Sequence, residues 1–377
     1  MQMCVTPGKA FRNMDARGRI PTEPIGSIPR PLSLIEAVRE HERGTISAAE
    51  LDALYADATL DTIRRFEETG SPVISDGEQR KYHNFATYAV HGLPNMAPDG
   101  FRLTFTNHYR EWPRLTAGPF HYMRYADGFL ADAMRLTSRP VKQAVIAPSA
   151  LSLMYPEDEL PGYSRDVFLS TVLDEHEREV RACLTLGAHT VQIDFTEARL
   201  AVKLDPTAAL LNSFITLNNL GLDRFSVADR ARIGVHTCPG GDRDSTHSAD
   251  VDYAELLPSL FELRAGSFFI ALAREPNRRY VLDIIGHHLK PDQRAFIGVI
   301  DVLSPRVETP EEICDLILEA AEVIPPHQLG TTDDCGFSPF SDDTSTSRDL
   351  AFEKIRARVE GTAMASRKLA SRLSSVA

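Results

Sequence analysis

Eight short apolar runs, punctuated by glycine, proline and aspartate, recur at residues 24–29, 72–78, 143–151, 190–197, 233–238, 267–273, 295–304 and 329–336. Between them lie stretches with helical spacing of apolar residues, such as SAAELDALYADATLDTIRRFEETG, DVFLSTVLDEHEREVRACLTLG and TPEEICDLILEAAEVI. Strand-length runs alternating with amphipathic helices specify βαβ units, and therefore parallel pairing, because parallel neighbours need a long crossover. Eight such units in 377 residues predict an α/β fold, a (β/α)8 TIM barrel, in preference to an open doubly wound sheet. No run is followed by G-x-G-x-x-G or a phosphate-binding loop, which argues against a nucleotide site. The barrel is expected over residues 20–362, after an N-terminal extension (1–19) and before a frayed C-terminal tail (363–377). Residues 80–140 are aromatic-rich and poorly periodic, and are expected to cap the barrel mouth or build an interface.

In such barrels active sites gather at the C-terminal ends of the strands. Those ends carry Ser27 and Arg30, Asp76 and Glu78, Ser149, Asp194 and Glu197, His236 and Cys238, Asp301, and Asp334 and Cys335. Aspartate and serine also favour strand-to-helix turns and helix N-caps, so single polar residues at a rim are weak signals. The paired acids in DGE and IDxxE are stronger, because two carboxylates at one rim need a reason. His236 and Cys238 form a His-x-Cys pair at the end of one run, where residues i and i+2 point to the same side. With Cys335 they make an imidazole and two thiols, a donor set that suits Zn2+, and three protein ligands are the pattern of a catalytic rather than a closed structural site. A lone His-x-Cys is common by chance and a free cysteine is usually a small core residue. Both segments, however, end in polar turn sequence (CPGGD and DDCGF), which shifts the balance towards metal.

The formal net charge of -12 argues against a nucleic-acid surface. No apolar run approaches the length of a membrane span, and the N-terminal residues carry no hydrophobic signal core. The five cysteines (Cys4, Cys183, Cys238, Cys314 and Cys335) are odd in number and scattered, so a disulfide framework is not expected and a reducing cytoplasm is. Cys4, Cys183 and Cys314 read as a flexible end and two helix-face positions. Aromatic segments between residues 80 and 125 make self-association into a homo-oligomer an expectation.

Taken in order, IGSIPRP, SDGEQR, VQIDFTEA, VHTC and TDDCGF resemble the strand-end motifs of the catalytic barrel of cobalamin-independent methionine synthase, over roughly residues 20–360. The resemblance implies that His236, Cys238 and Cys335 hold zinc. There are three departures. The family's glutamate ligand falls at Ala271, and neither Glu262 nor Glu275 is in register; the IDEP stretch has become Ile193-Asp194-Phe195-Thr196; and the folate-binding N-terminal barrel half has no counterpart. These departures are closer to the epoxyalkane:coenzyme M transferases. On that resemblance the chain is expected to be a zinc-dependent thiol alkyltransferase, in which the thiolate of coenzyme M opens a short-chain epoxide. The alternatives are methyl transfer from a methylated folate to homocysteine, or corrinoid-linked methyl transfer to coenzyme M. The partners expected are a small-molecule thiol and a carbon electrophile, with neither nucleic acid nor membrane. Asp194, Glu197, His247 and His83 are the candidate proton donors, with His247 also read as a local hydrogen-bonding residue. Ser27, Arg30, Asp76, Glu78 and Arg80 are the candidate substrate contacts, and Arg30, Arg80, Lys81 and Arg199 the candidate sulfonate donors. Trp112 reads as packing in the cap.

Overall fold

The computed structural model describes residues 19–105, 109–241 and 246–374. Most of the N-terminal extension (1–18) and the segment 242–245 between Cys238 and His247 lie outside the described residues. Four short strands belong to the region before the barrel sheet: β1 (Met96–Ala97), β2 (Arg102–Thr104), β3 (Tyr109–Glu111) and β4 (Arg114–Leu115). Six more form one parallel sheet in sequential order: β5 (Gln143–Ile146), β6 (Val191–Asp194), β7 (Ile233–Thr237), β8 (Ser267–Ile270), β9 (Arg294–Gly298) and β10 (Leu329–Thr332). Almost every residue in these six strands is buried, as expected of a parallel sheet covered on both faces.

The first two expected strands are much reduced. Thr22 bridges in parallel to Thr331 at one sheet edge, and Ile74 to Val141 at the other. The two segments meet through Ile28 N–H to Gly77 O (3.0 Å) and Ser75 Oγ–H to Gly26 O (2.7 Å), which closes the ring. Their ladders are short for a local reason. Pro24 and Pro29 lack N–H donors, and Gly77 (φ 68) and Glu78 (φ 57) leave the extended region altogether. Several other runs are shorter than expected because their ends turn into helices or loops. Pro148, for example, opens a helix over Pro148–Ser152.

The helices follow from their caps. Ser47 and Glu50 form a reciprocal capping box at the start of Ala48–Glu68, and Thr309 and Glu312 do the same for Pro310–Ala320. Gly187, in the left-handed region (φ 101), ends Arg165–Leu186. Pro310–Ala320 buries Ile313, Cys314, Ile317 and Ala320, and Arg165–Leu186 buries Cys183. Cys183 and Cys314 are thus core residues on helix faces, as their sequence context implied. The tail expectation is corrected. A helix runs unbroken over Arg348–Ser374, burying Ile355, Ala365 and Leu369. Its apolar stripe is diluted by arginine and lysine, so its periodicity is faint. Arg358, fully buried in that helix, donates to Asp333 Oδ2 (2.6 Å) and to Glu23 O (2.9 Å), fastening the helix to the barrel.

Residues 80–140 do cover the barrel mouth. β1 pairs with β4 and β2 with β3, both antiparallel. The cap is tied to the loop after Cys335 by Phe85 N–H to Pro339 O (3.1 Å), Ser341 N–H to His83 O (2.8 Å) and an Arg110–Asp342 ion pair (3.2 Å). No helix among the described residues is long and apolar enough to cross a membrane.

Candidate metal centre

The parallel register of β6 and β7 sets Asp194 directly opposite His236. Asp194 Oδ1 lies 3.0 Å from His236 Nδ1 and also accepts from Gln192 Nε2 (2.7 Å). A carboxylate beside Nδ1 fixes the proton there and leaves the Nε2 lone pair free. His236 Nε2 is buried and has no hydrogen-bond partner. Cys238, just past the end of β7, and Cys335, three residues past β10, bring their sulfurs to the same point. The three ligand atoms lie within 4.8 Å of one another, and all three residues are buried. A buried imidazole nitrogen without a partner, facing two thiols, is a donor set that lacks only a borderline-soft cation, and so the residues fit Zn2+. The site electrostatics agree. Burial opposes protonation of His236, yet the adjacent Cys238 and Asp194 raise its pKa to about 10, so Nε2 holds a proton at neutral pH that a bound cation would displace. Cys238 is held well below the usual thiol range by Cys335 and His236, despite burial. Negative charge is therefore already favoured where a cation would sit.

Glycine makes this convergence possible. A Cβ on Gly241 would stand 2.7 Å from Cys335 Sγ, and one on Gly336 would stand 2.0 Å from Ser27 Oγ. Ala271 follows β8, at the position where the family resemblance implies a fourth protein ligand. It lines a crevice of about 20 Å³ with Cys335 and Pro239. Glu262 is turned to Lys290 (3.0 Å) and Glu275 to Arg199 (3.0 Å). Among the described residues the cluster therefore supplies three ligands.

His236, Cys238 and Cys335 open into a cavity of about 710 Å³ that Ser27, Glu78, Asp194, Glu197 and His247 also line. Glu78 sits in the left-handed region (φ 57), a strained conformation for a glutamate, with its carboxylate 3.3 Å from the fully buried Lys81 ammonium. Burial pushes the Glu78 carboxyl up to about 7. Lys81 opposes that shift, and Asp194 and Asp76 add to it. Glu197 accepts from Ser149 Oγ (2.5 Å), and Ser149 is held in turn by Asn218 (2.8 Å). Burial raises Glu197 to about 8, so it carries a proton at neutral pH. His247 shares a hydrogen bond with Ser248 Oγ (2.8 Å), and its pKa is lowered by burial. His247 thus bonds locally, as one of its two readings expected, and also lines the cavity.

Arg30, Asp76 and Arg80 are not cavity residues, and their expected substrate contacts are not what the structure shows. Arg30 donates to the carbonyls of Gln79 (3.3 Å), Glu78 (3.1 Å) and Lys81 (3.0 Å). Asp76 accepts from Glu78 N–H (2.9 Å). Arg80 pairs with Asp52 (2.5 Å) and Asp132 (3.4 Å). These three residues hold the strained loop that aims Glu78. Arg199 stacks on Tyr253, pairs with Glu275 and does not line the cavity. Trp112, expected only to pack, lines the cavity as well. Sequence reasoning missed the aromatic chamber wall. Its one signal was the alternation of Phe101, Leu103 and Phe105 with polar neighbours.

A closed parallel barrel with a buried His/Cys/Cys cluster lining a capped cavity defines a barrel protein with a candidate thiol-rich metal site. Residues 20–350 match the family described as cobalamin-independent synthase, catalytic domain, and the chain belongs to it. It is 24% identical over 353 residues to methionine synthase of Sulfurisphaera tokodaii, covering 93% of each chain. It is 23% identical over 350 residues to the enzyme of Sulfolobus acidocaldarius, covering 91% of each. Among solved structures it resembles a B12-independent methionine synthase from Shewanella sp. W3-18-1 (TM-score 0.70, 19% identity, 94% of this chain and 99% of that one). A putative B12-independent methionine synthase from Listeria monocytogenes is also similar (TM-score 0.65, 21% identity, 92% and 98%). These likenesses support the expected barrel and an enzyme of the methionine synthase family.

Proposed function

We propose that this protein transfers an alkyl group, in the simplest case methyl, to the sulfur of a small amino-bearing thiol of the homocysteine class, with Zn2+ held by His236, Cys238 and Cys335. One observation carries the reading: the orphaned His236 Nε2 and the two thiols share a cavity with the buried carboxylates of Glu78 and Asp194. Zinc, when bound, supplies the acidity that makes a thiol a nucleophile at neutral pH and fixes the position of its sulfur.

The chain's own residues decide which thiol. Glu78 and Asp194 present negative charge where a substrate ammonium gains most, in a buried setting. A sulfonate in the same place meets those carboxylates, and the expected donors do not face it. Arg30 and Arg80 are spent on the loop, and Lys81 is locked behind Glu78. The structure of the Shewanella protein is a complex with selenomethionine, an amino acid rather than a sulfonate. Alkyl transfer forms a sulfur–carbon bond with a sulfur electron pair while the bond from carbon to its leaving atom breaks. The leaving atom then needs a proton. Glu197, protonated at neutral pH and held by Ser149, can provide it.

Coenzyme M with an epoxide remains the second reading, because Glu197 can equally protonate an alkoxide from ring opening and because Ala271 departs from the family ligand. Thiol consumption by zinc-loaded protein separates the two. Homocysteine with a methyl donor is run beside coenzyme M with epoxypropane. Turnover of homocysteine, with KM raised in Glu78→Gln, supports the proposal; turnover of coenzyme M alone refutes it.

A further inference from the structure

We infer that the cap side of the cavity is a binding chamber for an uncharged, largely apolar, ring-sized molecule. Its role as alkyl donor rests on the reading above, but its binding does not. The chamber wall comes from the cap. Phe85, Leu93, Met96, Phe101, Leu103 and Trp112 all line the cavity, and all but Leu93 are only partly buried. Along β2 the exposed Arg102 and Thr104 flank the inward Leu103, so alternate positions deliver apolar side chains to the cavity face. Phe340, under the Arg110 guanidinium (4.1 Å), continues this wall from the loop after Cys335.

Size argues for a second substrate larger than an epoxide. At roughly 30 Å³ for each water-sized group, the cavity of about 710 Å³ holds on the order of two dozen heavy atoms, several times a homocysteine. A small epoxide would leave the aromatic wall facing empty space, whereas apolar surface of this extent is usually a binding surface. Charge argues against a polyanion. Among the described residues the cavity is lined by six carboxyl groups (Glu42, Glu78, Glu111, Asp194, Asp342 and the protonated Glu197) against two guanidiniums, Arg39 and Arg110. Both guanidiniums are already paired, Arg39 with Glu36 (3.7 Å) and Arg110 with Asp342 (3.2 Å). A folate with its glutamyl tail finds no spare cation among the described lining residues, while a neutral ring finds aromatic faces and a thioether.

Trp112 is the only tryptophan in the chain, so its fluorescence reports on this wall. The test titrates the full-length protein with 4-nitroanisole, a neutral aryl methyl ether that absorbs Trp emission, and with methyltetrahydrofolate followed by calorimetry. The expected result is saturable quenching by 4-nitroanisole that persists in Cys335→Ser, which removes a metal ligand. Loss of an apolar wall residue of this size should weaken it at least about tenfold in Leu103→Glu and in Phe101→Ser, in protein that still binds zinc. Absence of saturable quenching, tighter binding of methyltetrahydrofolate, or quenching unaffected by both cap variants overturns the inference. Persistence in Cys335→Ser keeps this outcome separate from failure of the thiol-transfer reading.

Discussion

Asp194→Asn should weaken zinc binding by about 10- to 100-fold, roughly 1.4 to 2.7 kcal/mol, while leaving the fold intact. The magnitude follows from what the substitution keeps and removes. Asp194 Oδ1 is 3.0 Å from His236 Nδ1, and both side chains are almost fully buried. Asparagine has nearly the same shape and keeps an acceptor oxygen at that place, so packing is preserved. What is lost is the negative charge that makes the imidazole a better donor and balances the cation, and charge-assisted bonds are about twice as strong as neutral ones. Both donors, His236 Nδ1 and Gln192 Nε2 (2.7 Å), already share Oδ1, so an amide oxygen placed there meets the same contacts and the substitution isolates the charge. The assay is competition against a chromophoric chelator at fixed pH, with circular dichroism to confirm folding and Cys335→Ser as the variant expected to lose more. Unchanged affinity in Asp194→Asn would refute the argument, because His236 would then need no charged partner to bind metal through Nε2.

Activity should follow a narrow bell in pH. Glu78, raised to about 7 chiefly by burial, must lose its proton to hold an ammonium, so KM falls as pH rises through that value. Glu197, raised to about 8 by burial, must keep its proton to act as donor, so kcat falls as pH rises beyond it. Glu197→Gln should remove the alkaline limb together with much of the rate, and a limb that survives in this variant assigns it to another group. Arg358→Met strips the buried Asp333 of its partner and should destabilise the fold by about 3–5 kcal/mol, read as a lower denaturant midpoint. Gly336→Ala places a Cβ 2.0 Å from Ser27 Oγ, so the loop carrying Cys335 must shift. It should destabilise by about 1–3 kcal/mol and lower zinc occupancy, measured by melting and by metal analysis.

The strand runs and the His-x-Cys pair were legible because they are local. Residues two apart on a strand share a side, and an apolar run ending in turn residues marks a barrel rim wherever it falls. That local logic placed His236 and Cys238 together and, with Cys335 at another strand end, gave the candidate metal cluster. It also named Asp194, Glu78, Glu197 and Ser27, which do face the cavity. It failed for Arg30, Asp76 and Arg80, since rim position says nothing about where a long side chain finds its partner. Buried guanidiniums and carboxylates go where unpaired carbonyls, N–H groups and opposite charges are, and those are supplied by segments distant in sequence. The same reason hid the helix over Arg348–Ser374, whose buried Arg358 looks like surface until Asp333 and Glu23 are beside it. The sequence by itself determined the alternating architecture and the zinc-type donor set. Only the tertiary structure decided that the cap turns aromatic side chains onto the metal floor and that Lys81 stands behind Glu78, because both depend on chain closure bringing together surfaces that no local pattern encodes.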